Sequence, residues 1–455
     1  MPSEGGGEIM DEPVIPEGAS KVSRRGMLVG LGVGVAAAIQ AAPARSATAA
    51  PAILTGKTTG MRFRALVRSR EGTAVQSLKL LAVPPKEVVI RVKASVTCYT
   101  QVTHMFAEPG SPLLPPWVPM VMGHTFVGVV EEVGHLVTRT RVGDRVIVTP
   151  TPQCGQCYAC LHGRSDQCDF LTVDIHPFAV DENGREIRPR FGLGGIGEIA
   201  MCAEEYCVPV WSDLTDVELA VLGDNAGVGL AAGLTLAPIE AGSSVAVVGC
   251  GSLGLGAVQS ARIRGAGQII AIDPVRYRRE AALKLGATVA LDPHAEGDKL
   301  VERVRELCRV PTDRPLAGGG RRTSGADFVI EAVGGDRYPP AVEKSPDPKG
   351  VLPVVQAWQM TRPDGHVSFT GIGPETYDVA FPSTQLILGG RTIHSAQMGG
   401  MHVMRDLPRF VRLVERGLFD AKAIATSIGP LDRAVDIFKQ VAERTSIIGI
   451  IQTNT

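Results

Sequence analysis

Four cysteines, Cys154, Cys157, Cys160 and Cys168, stand with two, two and seven residues between them. Four thiolates at that spacing can close a tetrahedron around one zinc ion, and a metal with all four positions filled is structural. The same cluster also admits an iron–sulfur centre or a pair of disulfides. A second stretch with chemical potential is Gly249-Cys-Gly-Ser-Leu-Gly254. Its glycines, Gly249, Gly251 and Gly254, permit a tight turn, close backbone approach to a pyrophosphate and helix-on-strand packing.

The elements around that turn make the reading specific. Ser244–Val248 is an apolar, β-branched run of strand length, Leu255–Arg264 has helical character, and the next apolar run, Gln268–Ile272, ends in Asp273. Strand, glycine turn, helix and a carboxylate at this distance spell a dinucleotide site, with phosphates at the helix N-terminus and Asp273 accepting from the ribose hydroxyls. A carboxylate there repels a 2′-phosphate, which favours NAD over NADP. Arg278, opening a helix over Arg278–Leu285, is grouped with these residues as cofactor-binding. The competing reading is a glycine-rich turn in some other α/β sheet.

A chain of 455 residues has length for two to three domains and a large core. With 46 basic and 47 acidic residues it has no global attraction to nucleic acid or to an anionic membrane. Nine cysteines, four of them clustered, are too few for a disulfide scaffold. Residues 1–22 are rich in Gly, Pro and Glu and read as disordered. Ser23-Arg-Arg-Gly-Met-Leu-Val29 resembles a twin-arginine export signal. The weakly apolar run Met27–Ala42 is too short and glycine-rich for a membrane span, and Ala47-Thr-Ala49 has the pattern of a signal-peptidase site. The expectation is a signal over residues 1–50 and export, already folded, to a bacterial periplasm. A disordered extension or an uncleaved anchor are the other readings, and a misread signal would leave the chain cytoplasmic.

Between Met61 and Val96 the runs Arg62–Val67 and Glu87–Val92 alternate partly at period two, which predicts a β-rich domain. Cys98 stands just past a strand, and Gly123-His124 at the entrance to the next. Cys98, Gly123-His124, the four-cysteine lobe and the glycine turn occur in the order found in the zinc-dependent medium-chain alcohol dehydrogenases, a resemblance covering residues 61–452. It implies an α/β fold in which a Rossmann-type doubly wound parallel sheet is inserted in a β-rich GroES-like catalytic domain. The catalytic domain would span 61–224 with its structural zinc lobe at 154–168, the NAD-binding domain 225–397, and a C-terminal completion of the catalytic domain 398–455. Helices are expected at Arg278–Leu285 and Lys299–Cys308, strands at Asp327–Ala332 and His366–Gly371, and long surface loops at 309–326 and 334–350. Strand material over Ala380–Ser395 pairs across a dimer in this family, which implies a homodimer or tetramer.

The resemblance also assigns a second, catalytic zinc. A catalytic site keeps three protein ligands and one open position. Cys98 and His124 match the family's first two ligands, and Asp224, in Leu222-Gly-Asp224-Asn, takes the place of the third, usually cysteine. One thiolate with one carboxylate balances the charge of the zinc as two thiolates would. Thr100 matches the hydroxyl that passes the alcohol proton outward, and His104 is a candidate next step. Thr125, Gln101, Tyr99, Ile448 and Val228 depart from the family's pattern around the metal and the cofactor. The implied activity is hydride transfer between an alcohol or aldehyde and NAD, with two zinc ions per chain and no nucleic-acid partner. A zinc-free reductase of the same superfamily and a non-catalytic binding shell are the alternatives. In an exported chain the NAD would be held tightly and recycled by a second substrate or an external electron acceptor. Pocket walls are expected from Trp117, the 170–205 segment and the C-terminal domain.

Overall fold

The computed structural model describes residues 56–116, 118–172, 175–312, 324–373 and 377–453. The signal read over residues 1–50, Trp117 and most of the loop 309–326 lie outside these. Six strands form one parallel sheet in the order Val289–Leu291, Gln268–Ile272, Ser244–Val248, Ala326–Glu331, Thr361–Phe369, Thr392–Ser395. Numbered along the chain this is 3-2-1-4-5-6, the order of a dinucleotide-binding sheet, whose strand order reverses beside Ser244–Val248. That strand is buried on both faces, as a parallel strand covered by crossover helices must be. Val245 and Val247 pack with Leu255 and Val258, while Ala246 and Val248 pack on the opposite face with Leu300, Val304 and Trp358.

Two further sheets make the rest. A small closed barrel contains Arg62–Arg68, Thr73–Leu80, Ala179–Val180, Glu186–Pro189 and Met120–Val121. A seven-stranded sheet is centred on Glu87–Val96, which pairs with Phe126–Val133, Ile199–Ala203 and Ile448–Gln452. The last pairing brings the far end of the chain home. Ile450 lies opposite Val96, and the next residue, Thr97, is tied to Gly449 through both its backbone N–H and its hydroxyl.

Several expected boundaries move. The helix expected from Leu255 spans Ser252–Ile263, because Gly254 belongs to its first turn rather than to the loop before it. The strand expected over His366–Gly371 spans Thr361–Phe369. The strand material expected over Ala380–Ser395 divides into a helix, Ser383–Gly389, and a strand, Thr392–Ser395. Pro382 opens that helix and Gly390, at φ 61°, ends it. The helix keeps Ile387 and Leu388 on the surface.

Candidate metal and nucleotide site

The strand Glu87–Val96 delivers Cys98 to the N-cap of a short 3-10 turn, Tyr99–Gln101. His124 sits between the strands Met120–Val121 and Phe126–Val133. Before it, Gly123 has φ 97°, and a Cβ there would meet the Ile196 amide nitrogen at 2.6 Å, so the close approach of these segments requires glycine. Asp224 follows the helix Asp216–Leu222, which Thr215 and Glu218 close with a reciprocal capping box. Gly223 is pressed against Thr125, where a Cβ would lie 2.8 Å from Thr125 Cγ2. That contact carries Asp224 to His124.

All three side chains are buried, and the ligand atoms they offer lie within 4.8 Å of one another. His124 Nε2 is 3.0 Å from Asp224 Oδ2, and Asp224 Oδ1 accepts from the Asn225 N–H at 2.6 Å. Thr100 Oγ1 is 3.0 Å from Cys98 Sγ. Burial lowers the His124 pKa, but the neighbouring Cys98 and Asp224 outweigh it and raise the pKa to about 9. The three residues together offer the donor set of a cation site. One thiolate, one imidazole and one carboxylate suit zinc with one position left open.

The four-cysteine lobe has its own geometry. The Sγ atoms of Cys154, Cys157, Cys160 and Cys168 lie within 4.8 Å of one another, with Cys154–Cys160 at 4.0 Å and Cys157–Cys168 at 3.9 Å. Tetrahedral zinc–sulfur bonds place sulfurs about 3.8 Å apart. The Cys157 and Gln156 N–H groups point at Cys154 Sγ, and the Cys160 N–H at Cys157 Sγ, as suits thiolates. The Cys160 N–H lowers the Cys157 pKa to about 6. The other cysteines, Cys202, Cys207, Cys250 and Cys308, are buried.

A cavity of about 760 Å³ joins Cys98, His124 and Asp224 at one end to Gly251, Asp273 and Arg278 at the other. Nothing lies within 4 Å of where a Cβ on Gly251 would stand, so the turn leaves room above its backbone. A Cβ on Gly254, by contrast, would lie 1.7 Å from the Gly249 carbonyl oxygen. Helix Ser252–Ile263 has no side chain capping its first turn. Asp273 accepts from the Cys250 N–H at 2.7 Å and the Val275 N–H at 2.8 Å, which braces the turn and leaves each carboxylate oxygen a second lone pair for a ribose.

Some residues stand apart from their expected roles. No hydrogen bond joins Thr100 to His104 among the described residues, and His104 Nδ1 is buried without a partner. Ile448 is core, not cavity wall, whereas Val228 and Tyr99 do line the cavity. Three arginines that carry no motif also reach it: Arg190, Arg337 and Arg444. Arg444 pairs with Asp336, and Arg337 donates to the Ile372 and Gly373 carbonyls at 2.8 Å. No spacing rule marks them in the sequence. The one local signal is at Arg190, whose neighbour Phe191 sits in Pro-Arg-Phe-Gly.

Residues 84–212 match the alcohol dehydrogenase GroES-like domain, and residues 252–416 match the zinc-binding dehydrogenase domain. This chain is an oxidoreductase of the alcohol dehydrogenase family. Among relatives of this family, it is 29% identical over 385 residues to an NDMA-dependent alcohol dehydrogenase of Amycolatopsis methanolica, covering 83% of this chain and 94% of the relative. It is 26% identical over 401 residues to an S-(hydroxymethyl)glutathione dehydrogenase of Escherichia coli, covering 86% and 100%. The benzyl alcohol dehydrogenase structure from Acinetobacter calcoaceticus superposes with TM-score 0.71 at 24% identity, covering 86% of this chain and 99% of that one. An alcohol dehydrogenase zinc-binding domain protein from Burkholderia ambifaria superposes with TM-score 0.73 at 24% identity, covering 87% and 99%. These two show the medium-chain alcohol dehydrogenase fold.

Proposed function

We propose that the chain oxidises or reduces an alcohol–aldehyde pair with NAD, using one zinc held by Cys98, His124 and Asp224 and a structural zinc held by Cys154, Cys157, Cys160 and Cys168. The observation that carries this reading is the single cavity: the three-ligand set at one end, the glycine turn and Asp273 at the other. When bound, the zinc supplies Lewis acidity at a substrate oxygen and the nicotinamide supplies a hydride acceptor.

The chain's residues do the rest. Cys98 and Asp224 would offset the charge of the metal, and all three ligands are buried at the end of the cavity. Thr100, beside Cys98 Sγ, is placed to take the hydroxyl proton of the substrate and hand it outward. Gly251 leaves space for the pyrophosphate, and Asp273 orients the adenosine ribose. Arg278 brings positive charge to the same end of the cavity.

The nucleotide is held rather than exchanged. The chain follows a twin-arginine signal in this reading, and outside the cytoplasm no free NAD pool renews a released cofactor. A retained NAD must be reoxidised in place, so an external acceptor is the co-substrate. NDMA, on which the Amycolatopsis relative depends, is the first to test. The homodimer or tetramer expected from the family's pairing of this region belongs to the same reading, with Thr392–Ser395, at the end of the sheet, as the strand that pairs. The experiment is metal analysis of the purified protein, release and quantification of its nucleotide, and alcohol oxidation with added acceptor. Two zinc ions and near-stoichiometric NAD are expected. One metal and no nucleotide would leave a non-catalytic shell, and an empty protein needing millimolar NAD would overturn retention.

A further inference from the structure

Arg190 is 4% exposed, and among the described residues its guanidinium has no ion pair or hydrogen bond. Its Nε is fully buried without a partner, yet the side chain lines the cavity. A buried cation without a counter-charge is strongly disfavoured and persists where a ligand completes it. The position is at the metal end. The guanidinium carbon lies 4.3 Å over the Phe191 ring, whose centroid is 5.6 Å from that of His124.

The backbone is forced into this arrangement. Phe191 has φ 53° and ψ 27°, a left-handed conformation costly for a bulky residue, and its side chain is 44% exposed. The aromatic ring and the guanidinium both line the cavity. Charge counting points the same way. Zinc on one thiolate, one carboxylate and a neutral imidazole is balanced, so Arg190 remains uncompensated. No hydrogen bond or ion pair joins Arg190 to Asp224, whose oxygens meet His124 and the Asn225 amide. Arg337, the other cavity arginine on this side, is satisfied by carbonyls and adds a second positive charge rather than cancelling the first.

From this geometry we infer that Arg190 is a specificity-determining residue that binds a carboxylate on the substrate, so the preferred substrate is an alcohol or aldehyde that also carries a carboxylate. The inference rests on the oxidoreductase reading of the same cavity. The planar guanidinium fork donates two parallel hydrogen bonds to a carboxylate. Phe191, between Arg190 and His124, offers an apolar face to the part of the substrate that joins its two functional groups. A carboxylate supplies the acceptor that the Arg190 guanidinium lacks among the described residues.

The test uses the purified full chain with its bound metal and nucleotide and compares 4-(hydroxymethyl)benzoate with its neutral methyl ester. The acid is expected to have kcat/KM about 10- to 100-fold above the ester, the worth of hydrogen bonds to a charged group. Arg190→Met is expected to abolish that ratio and Arg190→Lys to retain part of it. Equal or better use of the ester by the unaltered protein overturns the inference even if neither variant folds. Benzoate binding, measured calorimetrically, separates the two readings: if neither alcohol is oxidised with any acceptor, the oxidoreductase reading fails. Benzoate that then binds the unaltered protein and not Arg190→Met still supports the anion site, and equal binding to both, or none to either, overturns it.

Discussion

The side-chain amide nitrogen of Gln101 lies 2.8 Å from Nδ1 of His124. Gln101 Oε1 meanwhile accepts from the Gly123 N–H at 2.9 Å, which fixes the amide with its NH2 towards the imidazole. In the neutral ring Nδ1 is then an acceptor, and the proton sits on Nε2, facing Asp224. A metal on Nε2 needs the opposite tautomer, with Nδ1–H donating, and Gln101 can satisfy that donor only by turning its NH2 onto the Gly123 N–H. Gln101→Glu presents an acceptor to both groups. It is expected to tighten the catalytic zinc by about 10- to 100-fold, read as resistance to a competing chelator. Unchanged or weaker retention would show that the imidazole is not tuned from this side.

The four-cysteine lobe is expected to stabilise without taking part in turnover. Cys157→Ser or Cys168→Ser should lower the metal content by one zinc per chain and depress the melting temperature, because metal binding there is part of the folding energy. Unchanged metal content with an unchanged melting temperature would remove the structural site.

Asp273 supports two functions at once, so its loss has two signatures. Asp273→Ala removes a ribose acceptor and a charge that repels a 2′-phosphate, and should narrow or reverse the preference for NAD over NADP in equilibrium binding. It also strands the buried Cys250 N–H, at a cost of about 1–3 kcal/mol. Tighter NADP than NAD binding by the unaltered chain would contradict the assignment.

His104 sets a pH dependence. Burial, then the positive charges of Arg190, Arg337 and Arg68, lower its pKa from 6.5 to about 4. The fold prefers the neutral ring, so the contribution to stability is fully present above about pH 6.5 and is lost as pH falls towards about 4. The urea midpoint is expected to fall over this window less steeply in His104→Gln than in the unaltered chain. Parallel profiles would mean that the ring titrates as it does in the unfolded chain.

Local patterns carried the parts of the fold that depend on near neighbours. Ser244–Val248, the glycines after it and Asp273 are legible because strand, turn and helix are contiguous. The cysteine lobe is legible because its four ligands fall within one short segment. The barrel was harder, since strands as short as Ala179–Val180 exist only through partners such as Lys79 and Leu80. Leu386-Ile-Leu388 has the composition of a strand and became a helix because Pro382 and Gly390 bound the segment. Arg190 was invisible for another reason. A single arginine has no periodicity, and the residue beside it, Phe191, adopts a backbone conformation that no propensity predicts.

The bond between Thr97 and Gly449 spans 352 positions of the chain and sits one residue before Cys98. Every residue proposed as a zinc ligand therefore leaves the ribosome long before the strand that anchors Cys98 is synthesised. A nascent chain stopped short of residue 448 carries all seven donors and no finished catalytic centre. If the site holds zinc as proposed, metal loading at that centre is coupled to completion of the polypeptide.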